Sequence, residues 1–144
     1  MEVVIMFKAS QMIYNALRQH DGLKVFTEET NSTSRVWLQF GIKNGGSYRI
    51  QFISTDNDCD VAVRIFDLIS VDPQKVGKIL VVINGLNCKY RYAKFTLTKD
   101  NNINVEYDFP VSGKHPEESA LEMVIRLNKL VDDAYPELMH AMWS

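Results

Sequence analysis

Apolar residues follow two different spacings along the chain, and each spacing predicts a different kind of element. In residues 4–20 they recur at steps of three and four, which is typical of a helix with one buried face. In the stretches 35–42, 48–53 and 61–70 apolar residues recur at every second position, and the last stretch is largely apolar on its other face as well, so we expect it to be covered on both sides. This alternation predicts three strands.

Glycine and asparagine mark the turns around these elements. Gly22 suits the left-handed backbone that commonly ends a helix, and we expect a short strand at 23–26 and a polar turn at 28–34. The Asn-Gly-Gly sequence at 44–46 predicts a tight hairpin, because these residues tolerate positive φ. The first half of the chain is therefore predicted to be a helix followed by strands that short turns connect.

The second half of the chain repeats both spacings. Asp72 and Pro73 are favourable at the start of a helix, and an apolar stripe with helical spacing follows them. Two more strands are predicted at 93–97 and 103–109, with Asn101 in the turn because asparagine tolerates the left-handed region. Without the short strand at 23–26, the predicted order is α-β-β-β-α-β-β-α, an α+β fold with a single antiparallel sheet packed by helices. At 144 residues we expect one domain spanning 1–144.

The last helix is predicted at 116–135, with a break at Pro136 and one or two further turns. Its apolar residues form more than one stripe, and a single stripe is enough to pack a helix on a sheet. Either another helix of the chain or a second subunit would cover the extra stripe, and we favour a homodimer. The residues expected at that interface are Met123, Leu127, Leu130, Met139 and Trp143.

Charge and cysteine content exclude several classes of protein. The formal net charge is -2 with both signs well mixed, so we expect no nucleic-acid binding. No apolar stretch is long enough to predict a membrane span, and the start lacks the basic leader of a signal peptide. Two isolated cysteines are typical of a reducing compartment, and we expect the protein to be cytoplasmic.

Candidate chemical sites are sparse. Asp56, Asp58, Asp60 and Asp67 imitate the spacing of a calcium loop, but the turn glycine is missing and a solvated acidic turn is the preferred interpretation. No histidine pair has metal-ligand spacing, and Cys88 is expected to be a small buried residue. We therefore predict no catalytic residues, no metal, no cofactor and no enzymatic activity.

Aromatic residues outside the predicted core are the better candidates for binding. Trp37 lies on the opposite side of its strand from the apolar stripe, and Phe66 is on the second face of another strand. Tyr90 and Tyr92 flank a basic residue just after the second helix. We expect Trp37, Phe66, Tyr90 and Tyr92 to contact a polypeptide partner, bound at a sheet edge or across the outer face.

The stretch from residue 72 to residue 136 resembles the YbjN family of bacterial proteins. Its matching features are Leu86-Asn87, Tyr90-Arg91-Tyr92, Phe95-x-Leu97, Asp100, Glu106-Tyr107-Asp108, Val131-Asp132 and Tyr135-Pro136. The family commonly has glycine in the hairpin turn where Asn101 and Asn102 stand here. The resemblance implies a fold similar to type III secretion chaperones, which are typically homodimers that bind other polypeptides.

Two hypotheses about function follow. The first is a non-enzymatic, chaperone-like protein-binding module or regulator. The alternative is a small-ligand protein or enzyme with a pocket between the sheet and the helices, using Asp56, Asp58, Asp60 or a cysteine.

Overall fold

The computed structural model describes residues 6–43, 45–56, 60–110 and 115–144, which hold three α-helices and six strands. In chain order these are α1 (Lys8–Leu17), β1 (Phe26–Glu29), β2 (Ser34–Gly41), β3 (Ser47–Ser54), β4 (Asp60–Ser70), α2 (Val76–Lys89), β5 (Lys94–Leu97), β6 (Asn102–Pro110) and α3 (Pro116–Trp143). A short 3-10 helix, Pro73–Lys75, precedes α2, and the Asp72 carboxylate accepts a hydrogen bond from Gln74 N at 2.9 Å. The predicted α+β class is confirmed. The short strand expected at 23–26 begins only at Phe26 and extends into the predicted turn.

The strands form one sheet in the order β1-β2-β3-β4-β6-β5, and every neighbouring pair is antiparallel. The order departs from the chain order at one point, because β6 pairs with both β4 and β5. The chain leaves β4 through α2 and returns to the sheet at the far edge. The sheet therefore ends in two strands of four residues each, β1 and β5.

The strands bury one face only. The inner face contributes to a single hydrophobic core. Its fully buried strand residues include Val36, Leu38, Ile50, Phe52, Val61, Val63, Ile65, Ile103 and Val105. The residues between them along each strand point to the other face, and none of the described ones is fully buried. All three helices therefore cover the same side of the sheet.

Helix α3 buries one wide stripe against α1 and α2. The stripe consists of Ala120, Met123, Val124, Leu127, Leu130, Val131, Ala134, Leu138 and Ala141. Met123, Leu127 and Leu130 were predicted at a dimer interface, and that assignment is wrong because the chain's own core encloses them. Ile125 lies outside the stripe and is 61% exposed.

Helix α3 also continues through Pro136, where a break was predicted. Pro136 has no N–H to donate to the carbonyl of Asp132, so one helical hydrogen bond is missing. Ala134 and Leu138 lie on either side of the proline and are both fully buried. Their packing in the core keeps the helix continuous despite the missing hydrogen bond.

Three described residues adopt positive φ. Asn101 has φ 62° in the β5–β6 turn, as predicted, and Gly22 has φ 86°. Gly22 lies in the turn that follows α1, which ends at Leu17 and not next to the glycine. Asp67 has φ 53° where the β4–β6 pairing shifts register, and its N–H donates to Asn104 Oδ1 at 2.9 Å.

The side chain of Asn87 acts as a substitute strand beside β5. Its Nδ2 donates to the carbonyl of Phe95 at 3.0 Å, and its Oδ1 accepts from the N–H of Phe95 at 2.7 Å. Both backbone groups point away from β6, since Asn87 lies at the end of α2 on the other side of β5. The outer edge of β5 is therefore occupied at its buried residue.

Truncation of Leu127 tests whether this residue belongs to the core, as observed, or to a subunit interface, as predicted from the sequence. We expect Leu127→Ala to lower the free energy of unfolding by about 2–5 kcal/mol, because it opens a cavity in the core. The matched control, Ile125→Ala on the same helix, should change it by less than about 0.5 kcal/mol. Urea denaturation followed by circular dichroism measures both. A larger loss for the Ile125 variant would contradict the burial of the stripe.

Candidate functional site

The outer face of the sheet is crossed by one continuous row of paired residues. In register from β1 to β5 the row is Phe26, Trp37, Gln51, Arg64, Glu106 and Lys94. Residues directly opposite each other in antiparallel strands project from the same face. The row is thus aromatic at the β1 end and charged at the β5 end.

Trp37 is held between side chains from both neighbouring strands. The ring of Phe26 on β1 stacks on the indole, with centroids 4.3 Å apart and an interplanar angle of 16°. Arg49 Cζ on β3 lies 3.9 Å from the indole centroid, a cation–π contact. The side chain of Arg35 lies beside them, and its Nη1 donates to Gln51 Oε1 at 2.9 Å. We call Phe26, Arg35, Trp37 and Arg49 the Trp37 platform.

The Trp37 platform carries positive charge without a bound carboxylate. Among the described residues, no Asp or Glu oxygen lies within ion-pair distance of Arg35 or Arg49. Glu28 is opposite Arg35 in register, but no ion pair joins them. Arg49 Nε makes a long contact of 3.5 Å with Gln39 Oε1. The guanidinium groups are therefore available to an incoming anion.

The other half of the outer face is neutralised internally. Arg64 Nε lies 3.1 Å from Glu106 Oε1, and Arg64 Nη1 lies 2.6 Å from Asp108 Oδ1. Lys94 Nζ donates to the carbonyl of Asn87 at 2.9 Å. Phe66 lies two residues after Arg64 on the same face and is 39% exposed, so the sequence-based expectation that this strand is covered on both faces is wrong. The structure thus brings Trp37 and Phe66 to one surface.

Tyr90 and Tyr92 lie on the helix side and not with Trp37. The Tyr92 hydroxyl donates to the carbonyl of Arg126 on α3 at 3.2 Å, and the Arg126 guanidinium lies over the Tyr92 ring. Burial raises the pKa of both tyrosines; the Asp133 carboxylate adds to the rise at Tyr90, and Tyr90 adds to it at Tyr92. The four aromatic residues predicted to bind one partner therefore belong to two surfaces.

A groove opens where α3 passes Pro136 beside the β2–β3 turn. It has a volume of about 480 Å³ and is lined by Ile42, Lys43, Asp132, Tyr135 and Pro136. A continuation of about 340 Å³ reaches Met139 and Trp143. These two residues of the predicted dimer interface do reach the surface, and Trp143 is 82% exposed.

Near the groove, α3 is tied to the sheet by a buried hydroxyl. Tyr48 Oη on β3 donates a hydrogen bond to Asn128 Oδ1 on α3. Burial raises the pKa of Tyr48, and the nearby Asp132 carboxylate raises it further. The groove wall is therefore fixed at the point where strand and helix meet.

Helix α2 has an exposed apolar surface that the sequence analysis missed. Its exposed residues are Gly77, Lys78, Leu80, Val81, Asn84, Gly85, Cys88 and Lys89, of which only Lys78 and Lys89 are charged. Val81 is 73% exposed, and Cys88 is exposed although a buried position was expected. The signal was present in the sequence, since α2 is apolar on more than the one side that the core needs.

The chemistry proposed for the acidic turn falls partly outside the described residues. Asp58 and Cys59 belong to that undescribed part. In the parts of the chain that the structure describes, no group of three or more His, Cys, Asp or Glu side chains is placed to hold a metal ion. Among the described helices, none is both long enough and apolar enough to cross a membrane.

Comparison with known proteins assigns a family to the fold. The model of the YbjN family, described as "Putative bacterial sensory transduction regulator", matches residues 10–139, a wider span than the 72–136 of the sequence resemblance. No curated protein matches the chain, and no solved structure matches it. Similarity to type III secretion chaperones therefore stays a prediction. The family model covers most of the chain, and the protein belongs to the YbjN family.

Proposed function

We propose that this protein is a non-enzymatic regulator that binds a polypeptide across the outer face of its sheet. The Trp37 platform is the observation that carries the proposal. An aromatic stack on an uncovered sheet face has no role in packing the core, since the core lies on the other side. Buried aromatic and arginine contacts supply much of the energy at protein interfaces.

The shape of the surface favours a polypeptide over a small molecule. Phe26, Trp37 and Phe66 are spread over three strands of an open face and do not converge on a pocket. Small-molecule sites are concave and enclose most of the ligand. An extended segment can contact several such side chains at once, because successive residues of a strand span about 3.3 Å each.

The sheet edges make the β1 side the accessible one. Asn87 occupies the backbone groups of Phe95 on β5, whereas β1 is paired on one side only. Phe26 belongs to both the β1 edge and the Trp37 platform. An extended segment on this side could form main-chain hydrogen bonds with β1 and contact the aromatic stack at the same time.

Site-specific photocrosslinking tests the proposal. Benzoylphenylalanine replaces Gln39, an exposed outer-face residue next to Arg49, and irradiation is carried out in cells. We expect adducts with another polypeptide, and we expect Trp37→Ala to remove them because the anchor is lost. The matched control carries the same probe at Glu118, an exposed residue on α3. Equal adducts at both positions, or adducts that persist without Trp37, would refute the proposed surface.

A small-ligand function is the second candidate, and the groove at Pro136 supports it. The groove combines apolar walls with one cation and one anion, Lys43 and Asp132. Its volume falls within the range of known ligand pockets, about 300–1,000 Å³.

A thermal-shift screen against metabolites tests this second candidate. One compound should raise the melting temperature by several degrees, because binding to the folded state alone stabilises it. Tyr135→Ala, which removes a groove wall, should abolish the rise. Tyr92→Ala, outside the groove, should preserve it. A screen without any such compound would remove the second candidate.

A cytoplasmic homodimer remains part of the proposal, and the α2 surface supports it. Leu80 and Val81 on the outer side of α2 are 48% and 73% exposed, and two copies of the chain could bury these side chains against each other. Lys75 and Lys78 are turned to the end of α3, where both donate to the carbonyl of Ser144.

Light scattering after size exclusion tests the homodimer. We expect a mass of twice the 16.5 kDa chain, falling to one chain in a Leu80→Asp, Val81→Asp variant. Ile125→Asp on exposed α3 is the matched control and should leave the mass unchanged. A single-chain mass for the unmodified protein would contradict the dimer.

A further inference from the structure

We infer that the partner segment is acidic, with apolar side chains between its carboxylates. This inference rests on the proposed polypeptide-binding function and adds the chemistry of the partner. It follows from the charge around the Trp37 platform and from the way its arginines are held.

The cations around Trp37 outnumber the anions. Arg35 and Arg49 project from the outer face, and Lys24 lies two residues before Phe26, sharing a hollow of about 210 Å³ with Gln39. Glu28 is the one carboxylate among the described outer-face residues of β1, β2 and β3. The outer faces of β1, β2 and β3 therefore present two positive groups, Arg35 and Arg49, against one negative group.

Arg49 is positioned to accept a carboxylate. Its guanidinium is held against the Trp37 indole, with Cζ 3.9 Å from the ring centroid, and Gln39 contacts only Nε. No described residue accepts a hydrogen bond from its two Nη atoms. A fixed guanidinium with free Nη atoms suits two-point binding of a carboxylate, and less side-chain entropy is lost when it binds.

Only the part of the outer face formed by β1, β2 and β3 is expected to attract an acidic segment. Arg64 already has Glu106 and Asp108 as partners, and those two carboxylates would repel an acidic segment. The segment would thus cross β1, β2 and β3 and end at Phe66 on β4. Phe26 and Phe66 are both exposed and would receive apolar side chains at the two ends of the platform.

A single-stranded nucleic acid is the competing occupant, because aromatic rings with arginines also bind bases and phosphates. The charge distribution disfavours it. A nucleic acid brings a phosphate with every nucleotide, whereas the Glu28 carboxylate lies on the same face of β1 and the chain as a whole is acidic. An acidic peptide can place its few charges only where the arginines are.

Peptide binding distinguishes these occupants. The probes are three 12-residue peptides and a 15-nucleotide oligo(dT). Every second peptide residue is Ser, and the residues between are alternately an anchor, Phe or Leu, and a Glu, Gln or Lys, so that anchors and charges share one face of the extended chain. Fluorescence of Trp37 reports binding in a Trp143→Phe background, which leaves Trp37 as the remaining tryptophan of two. We expect the Glu peptide to bind about tenfold more tightly than the Gln peptide, as one charge-assisted hydrogen bond would give. The Lys peptide should bind more weakly still.

Variants assign the effect to the guanidinium groups. Arg49→Gln and Arg35→Gln should each bring the Glu peptide close to the affinity of the Gln peptide. Arg49→Lys should recover part of the preference, because it keeps the charge and loses the two-point geometry. The matched control is Arg91→Gln, an exposed arginine away from the outer face, which should change nothing. Circular dichroism confirms that each variant is folded.

Each contrary result has a distinct meaning. Equal binding of all three peptides, reported by a change in Trp37 fluorescence, would overturn the acidic preference and leave the polypeptide-binding function intact. Tighter, arginine-dependent binding of oligo(dT) would replace the peptide with a nucleic acid. Failure of every peptide to bind, together with no adducts from position 39, would overturn the proposed function itself.

Discussion

An antiparallel strand presents half of its side chains to each face of the sheet, and this protein places all its helices on one face. The inner half of the strand residues supplies the core, and the outer half remains in water. Most outer residues are charged or polar, as solvation requires. Trp37 and its neighbours are the exception, so they must be explained by something other than the stability of the core.

The stacking around Trp37 also makes that exception tolerable in the free protein. Phe26 and Arg49 cover the indole from β1 and β3, which removes much of its apolar surface from water. Cation–π and aromatic contacts of this kind are each worth about 0.5–1.5 kcal/mol at partly exposed sites. The rings are thus held in place before any partner arrives, and little entropy remains to be lost on binding.

Properties set by neighbouring residues were predictable from the sequence, and properties set by distant ones were not. Alternation placed Trp37 on the opposite side of β2 from its buried stripe, because strand period is local. The expected cover over Phe66 on β4 was wrong, because it depended on which face of the sheet the helices pack against. The buried stripe of α3 was divided wrongly, since its width depends on contact with both α1 and α2. The break at Pro136 failed for the same reason, as buried Ala134 and Leu138 hold the helix together.

The Trp37 platform itself depended on register, which no single stretch reveals. Phe26 stacks on Trp37 only because β1 pairs with β2 at that residue, and Arg49 reaches the indole only through the β2–β3 pairing. Tyr90 and Tyr92 were predicted to contact the same partner as Trp37 because they are aromatic and flank a basic residue. The direction of the chain after α2 takes them to the helix layer instead.

The asparagine side chain beside β5 limits how copies of this sheet could grow. A fibre that grows by pairing the sheets of successive molecules needs two free edge strands on every molecule. In this protein the Asn87 side chain already bonds to the backbone of Phe95 at the β5 edge, and β5 is only four residues long. Two molecules could still pair through their β1 edges as a closed dimer, but no free edge strand would then remain for a third molecule.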